Sequence, residues 1–153
     1  MTATCTPLID VAQVFPDLAH DVLKFPVRPG EQAWAYEEIE HIATGLLDDV
    51  QRLSAELTAA EQELLDLMHS PGESPGDDLA DSGSRALERE QTLTLVNNLR
   101  DILAQTQRAV ERIKDGSYAQ CEVTGSPIGK ARLQAFPRAT LSLEAKAREE
   151  RRH

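Results

Sequence analysis

From Trp34 to Met68, apolar residues recur at Ile39, Ile42, Leu46, Val50, Leu53, Leu57, Ala60, Leu64 and Leu67. The steps alternate between three and four, with one extra step of four, which is the heptad seam of a coiled-coil helix. Charged residues fill the outer positions, no proline interrupts the run, and Gly45 is its single glycine. The spacing predicts one helix of about 35 residues, about 50 Å long at 1.5 Å per residue. A second stripe, Val96, Leu99, Leu103, Thr106, Val110 and Ile113, predicts another helix from about Ser84 to Lys114. Ser84 suits the N-cap, and Asp115-Gly116 supplies the glycine that usually follows a helix end. Between the stripes lies HSPGESPGDDLADSGS, residues 69–84, rich in the residues that break helices. Two narrow stripes joined by one loop are both buried if the helices fold back on each other. The expected fold is therefore mainly α, built on a long antiparallel coiled-coil hairpin. Pairing between chains is the alternative. Neither helix carries a buried Asn that would set an oligomer, and the hairpin favours a monomer.

The flanks read differently. Residues 1–32 contain Pro7, Pro16, Pro26 and Pro29 and predict an N-terminal extension, with a short helical piece around Asp17 to Lys24 and extended or mobile chain elsewhere. The hairpin occupies 33–116, with an acidic tip at 70–83. Residues 117–153 predict a small globular module, with Tyr118, Val123, Ile128, Leu133, Phe136 and Leu141 as core candidates. A last helix, about Leu143 to Arg152, carries the basic cluster Lys146, Arg148, Arg151 and Arg152.

Composition narrows the function classes. Aromatics make up 4%, thin for a globule but normal for a helical hairpin. The net charge of −10 repels nucleic-acid phosphate, so a protein partner with a basic surface is expected rather than DNA or RNA. Two cysteines, Cys5 and Cys121, make no disulfide framework, and a reducing compartment follows. The start MTATCTPLID lacks the pattern of a secretory leader. No apolar run is long enough to span a membrane, so a soluble cytoplasmic protein is expected. A glycine-rich phosphate loop, a metal constellation and a nucleophile–base pair are all missing from the sequence, which argues against an enzyme.

The stretch from Arg85 to Lys146 carries a family likeness. Asp115, Gly116, Tyr118, Cys121, Gly125, Ile128, Arg132, Leu133, Ala135, Pro137 and Lys146 stand where the pattern D-G-x-Y, C-x-x-C-G-x-x-I-x-x-x-R-L-x-A-x-P, C-x-x-C-K wants them. This resembles the DksA/TraR family of bacterial transcription factors, and Pro29-Gly30-Glu31 before the first long helix is also similar to a longer member. The likeness covers roughly residues 29 to 150. It implies a partner, bacterial RNA polymerase, and a mode of action. The hairpin enters the secondary channel, acidic tip residues approach the active site and alter promoter-complex stability, and the globular end grips the channel rim without touching DNA. The implied docking residues are Arg132, Lys146, Arg148 and Arg151. For the basic cluster, compensation of the helix C-terminal dipole is an equal alternative.

The family's four zinc positions fall on Cys121, Thr124, Ser142 and Ala145. Hydroxyls ligate zinc poorly at neutral pH and Ala has no donor, so one thiolate faces a metal that wants four good ligands. No zinc and no other cofactor is expected. The module is degenerate, and its apolar residues must replace the folding free energy a metal would supply. Thr124 and Ser142 are expected to hydrogen-bond across the former site. Cys121 reads as a small buried residue rather than a reactive thiol, because no base is near it in sequence. The tip carries Glu73, Asp77, Asp78 and Asp81, and Asp78-Leu79-Ala80-Asp81 matches the family's D-x-x-D tip motif. The Arg-Ala pair that usually follows is Ser82-Gly83 here. Without the resemblance, these acids would read as a solvated loop. The positions implied for the stringent-response alarmone guanosine tetraphosphate are Gln105, Phe136 and Lys146, of which only Lys146 is cationic, so weak or no potentiation is expected. The second reading of the whole is a coiled-coil interaction module that has lost polymerase regulation.

Overall fold

The computed structural model describes residues 10–69 and 79–152, with 79–82 described by backbone alone. The elements are α1 (Val11–Val14), α2 (Leu18–Asp21), a 3-10 turn (Val22–Lys24), α3 (Tyr36–His69), α4 (Leu79–Asp115), α5 (Lys130–Ala135) and α6 (Leu143–Arg152). The fold is mainly helical, and α3 and α4 pack as a hairpin. The chain divides into two compact units, one holding residues 10–48 and 105–152, the other 49–104.

In the second unit the two heptad stripes meet. Leu53, Ala60, Val96 and Leu99 are buried together, and Leu57, Leu64, Ile102 and Leu103 pack partly buried against them. Outside this seam, Arg100 pairs with Glu61 at 2.7 Å and Arg52 with Asp49 and Glu56, all with exposed side chains. Helix α4 begins at Leu79, ahead of the Ser84 expected from the sequence, and runs through Gly83. A helical glycine costs about 1 kcal/mol relative to Ala. Once a helix is nucleated, however, each added residue gains a backbone bond, and a long packed helix absorbs one poor residue.

The first unit holds most of the larger core. Ile39, Ile42 and Leu46 of α3 are buried there, as are Ala109, Val110 and Ile113 of α4. The N-terminal segment joins this core, with Val11, Phe15, Leu18, Val22, Phe25 and Trp34 all buried. The predicted helical piece is present as α2 and the 3-10 turn. The difference from the expectation is the short helix α1 and the burial of apolar residues over 11–25, whereas 26–32 carry no helix. The Phe25 ring meets Tyr118 edge-on, with centroids 6.0 Å apart at 68°. Trp34 donates its indole N–H to Pro26 O, and the Lys130 ammonium lies 5.2 Å from its ring centroid. Glu38 caps the start of α3 by accepting from the Ala35 N–H at 2.9 Å. The same carboxylate accepts from the Lys130 ammonium, which holds its pKa below the usual value.

Candidate functional site

The module begins where α4 stops. Gly116 takes φ +83, the left-handed conformation that ends a helix at no steric cost. The N–H groups of Ser117 and Tyr118 then return to Arg112 O, and Asp115 accepts from the Ser117 N–H. The chain next forms a tight knuckle. Cys121 N–H donates to Ser126 O, Gly125 N–H to Cys121 O, and Ile128 N–H to Ala119 O, while Gln120 and Pro127 form an isolated bridge.

Gly129 takes φ +107, and a Cβ there would lie 2.9 Å from Arg28 Cδ. Glycine is thus required by conformation, since the exposed Arg28 side chain can move aside. Glu31 accepts from the Lys130 N–H at 2.9 Å and so caps α5 from 99 residues away. Beyond α5, Arg132 Nε donates to Leu141 O and Tyr118 Oη to Pro137 O. Burial pushes the Tyr118 phenol pKa up, against a smaller opposing effect of the Arg112 charge.

The fold brings together Cys121, Thr124 and Ser142, three of the four positions that the resemblance implies for a zinc site. The N–H and hydroxyl groups of Ser142 and Thr124 favour negative charge on the Cys121 sulfur. Ser142 Oγ also accepts from the Ala145 N–H at 3.2 Å, capping α6, and Ala145 is buried beside it. Burial pushes the Cys121 thiol up, but these groups outweigh it and bring its pKa down to about 6. The donor set does not fit zinc: one sulfur, two hydroxyls already serving as hydrogen-bonding groups, and a methyl. No cluster of three or more His, Cys, Asp or Glu suited to a metal occurs among the described residues.

Of the core candidates, Tyr118, Ile128 and Leu133 are buried, whereas Val123 and Phe136 are exposed. Val123 sits in the knuckle, too small a loop to cover its own side chain. Phe136 follows α5 on the surface, with the Arg132 guanidinium 5.9 Å from its ring centroid. The predicted docking residues Lys146, Arg148 and Arg151 are exposed on α6, and Arg132 is half-buried. Asp81 lies in the first turn of α4, while Glu73, Asp77 and Asp78 fall outside the described residues.

Sequence reading missed Arg112, which is buried in the last turn of α4 among Ala109, Val110 and Ile113. Arg112 lies outside the heptad stripe, so the spacing gave no signal of its burial. Sequence reading also missed Glu122, which receives a two-pronged ion pair from Arg108 and lies 3.6 Å from Arg112. A cavity of about 770 Å³ beside these groups is lined by Arg108 and Arg112 but also by Glu111, Asp115 and Glu122, a balance that gives it no strong preference for an anion.

The comparisons with known proteins agree with this geometry. The profile of the prokaryotic dksA/traR C4-type zinc finger matches residues 116–151. The structure of transcription factor DksA2 from Pseudomonas aeruginosa superposes with a TM-score of 0.61 at 35% identity, covering 76% of this chain and 85% of that one. The chain belongs to the DksA/TraR family. Another relative, general stress protein 16O of Bacillus subtilis, is 34% identical over 114 residues, 72% of this chain and 68% of its own. The RNA polymerase-binding transcription factor DksA of Caulobacter vibrioides is 47% identical over 75 residues, 49% of this chain. The match spans only about half of that relative, 53% of its length. Of the pattern that carries the resemblance at the finger, the chain keeps the turn, knuckle and α5 residues and departs at Thr124, Ser142 and Ala145.

Proposed function

We propose that this chain is a non-enzymatic transcription regulator that binds bacterial RNA polymerase. In this reading its hairpin enters the secondary channel, and the acidic tip, Asp77, Asp78 and Asp81, acts near the active site to alter promoter-complex stability. Lys146, Arg148 and Arg151 on α6, together with Arg132, dock on an acidic patch of the channel rim. The observation that carries the reading is the match to a transcription factor of known structure over 85% of that chain at 35% identity. The acidic net charge of −10 supports a protein partner over direct nucleic-acid binding. The reading includes a module that folds without zinc, supported by the single sulfur among the four ligand positions.

A second reading keeps the polymerase out: a coiled-coil interaction module that has lost regulation. The Ser82-Gly83 pair after the tip motif favours it, because the family's usual Arg-Ala is absent. One experiment separates the two. Polymerase core is titrated with the intact chain and with Asp81→Asn, and promoter-complex lifetime is measured with each. The expected result is equal binding, with the lifetime effect present for the intact chain and lost for Asp81→Asn. Absence of binding by the intact chain refutes the regulator reading, and an active Asp81→Asn chain refutes the role of the tip.

A further inference from the structure

A family metal would join two pieces of chain, the Cys121–Thr124 knuckle and the start of α6. We propose that the Arg112 guanidinium takes over that task, as a buried cation that cross-links the 117–120 turn before the knuckle to the 140–142 segment before α6 through their backbone carbonyls. The inference rests on the zinc-free reading above and goes beyond it by naming what replaces the metal.

Arg112 is 7% exposed. Its Nη2 donates to Ser117 O at 2.8 Å and to Gln120 O, and its Nη1 donates to Thr140 O at 3.3 Å. Ser117 and Gln120 lead into Cys121, and Thr140 stands two residues before Ser142. The guanidinium therefore bonds both pieces of chain that carry the ligand positions. Glu122 supplies a countercharge 3.6 Å away, and its own N–H donates to Thr140 O at 2.9 Å, closing the link. The platform is stiff, since Arg112 stands in the last turn of a 37-residue helix, where a cation also favours the helix dipole. Several donors in one rigid plane suit a set of carbonyls converging from different segments, a geometry that a lysine ammonium does not reproduce. Other side chains brace neighbouring parts. Tyr118 holds Pro137, Arg132 holds Leu141, and Glu31 holds the start of α5. Removing the Arg112 head group would take one donor from each of these carbonyls, leaving Thr140 O with only the Glu122 N–H and Ser117 O with only the Gln120 N–H, and poorly paired buried polar groups are costly.

Amide hydrogen exchange on the full chain tests this. The amides of Cys121, Glu122 and Ile128 report on the module, and those of 53–64 report on the hairpin as a control. Arg112→Met is expected to speed exchange of the three module amides about 100-fold and Arg112→Lys about tenfold, with the hairpin amides unchanged. The same Arg112→Met change is then made in a chain carrying Thr124→Cys, Ser142→Cys and Ala145→Cys, loaded with zinc. There the loss is expected to shrink below about threefold, because the metal does the joining. Unchanged exchange for Arg112→Met in the natural background overturns the proposal. So does a loss equally large with zinc, which would make Arg112 an ordinary core residue. If Arg112→Met alone does not fold, folding of the zinc-loaded version supports the proposal and its failure overturns it. If the three-cysteine chain takes up no metal, the natural background decides. Native mass spectrometry of the unmodified chain tests the underlying reading separately, since one bound zinc per chain would refute the zinc-free module whatever Arg112 does.

Discussion

Cys121 occupies an unusual position for a lone thiol. Burial opposes its ionisation, yet the N–H and hydroxyl donors of Ser142 and Thr124 bring its pKa to about 6, from an ordinary value of 9.0. The donors that stand where ligands would stand thus stabilise negative charge on sulfur. The linkage has a definite sign. Between these two values the unfolded chain holds a proton that the folded chain has released, so stability from this group rises with pH across that window. It is fully present above the ordinary thiol pKa and is lost as pH falls through about 6. The melting-temperature gap between the natural chain and Cys121→Ala should therefore widen steadily from about pH 5 to about pH 9. A gap that stays flat, or absorbance near 240 nm that shows the thiolate forming only at the ordinary thiol pKa, would refute this assignment.

Between α3 and α4 the energetics follow the stripe and not the charges. Leu53 is 3% exposed and sits among Val96, Leu99 and Ala60. Leu53→Ala should cost about 2–5 kcal/mol in urea unfolding followed by circular dichroism, the range for a buried leucine that leaves a cavity. The Arg100–Glu61 pair is short, at 2.7 Å, but both side chains are largely in water. Arg100→Ala should therefore change stability by less than about 1 kcal/mol, and less still at high salt. Comparable costs for the two variants would mean that the hairpin is held by its ion pairs, contrary to the burial pattern.

For the whole molecule, the distribution of charge matters more than the total. The chain is acidic overall, while α6 displays Lys146, Arg148 and Arg151 on the surface. The alarmone positions implied by the family, Gln105, Phe136 and Lys146, are all exposed, and Lys146 is their one cation. A tetraphosphate needs several cationic partners to be held against water. Adding guanosine tetraphosphate should therefore leave the chain's effect on promoter-complex lifetime within about twofold, whereas Gln105→Lys with Phe136→Arg should create a response. A large response of the natural chain would place the nucleotide elsewhere.

The hairpin was legible in the sequence because heptad spacing is a local signal: each stripe states its own buried face, and two stripes joined by one breaker have a short list of ways to pair. The family likeness was legible in residue types at set distances along the chain, and the ligand positions are what that likeness implies. Tertiary structure alone decided the rest. Burial of Arg112 depends on carbonyls of Ser117, Gln120 and Thr140 converging on one helix turn, which no spacing rule encodes. Packing of 10–34 depends on Phe25 finding Tyr118 and on Glu31 finding Lys130 across some 90 to 100 residues of sequence. The exposure of Val123 and Phe136 depends on which surfaces those long-range contacts had already covered. Local periodicity determines which faces must be hidden, and only the closed chain determines what hides them.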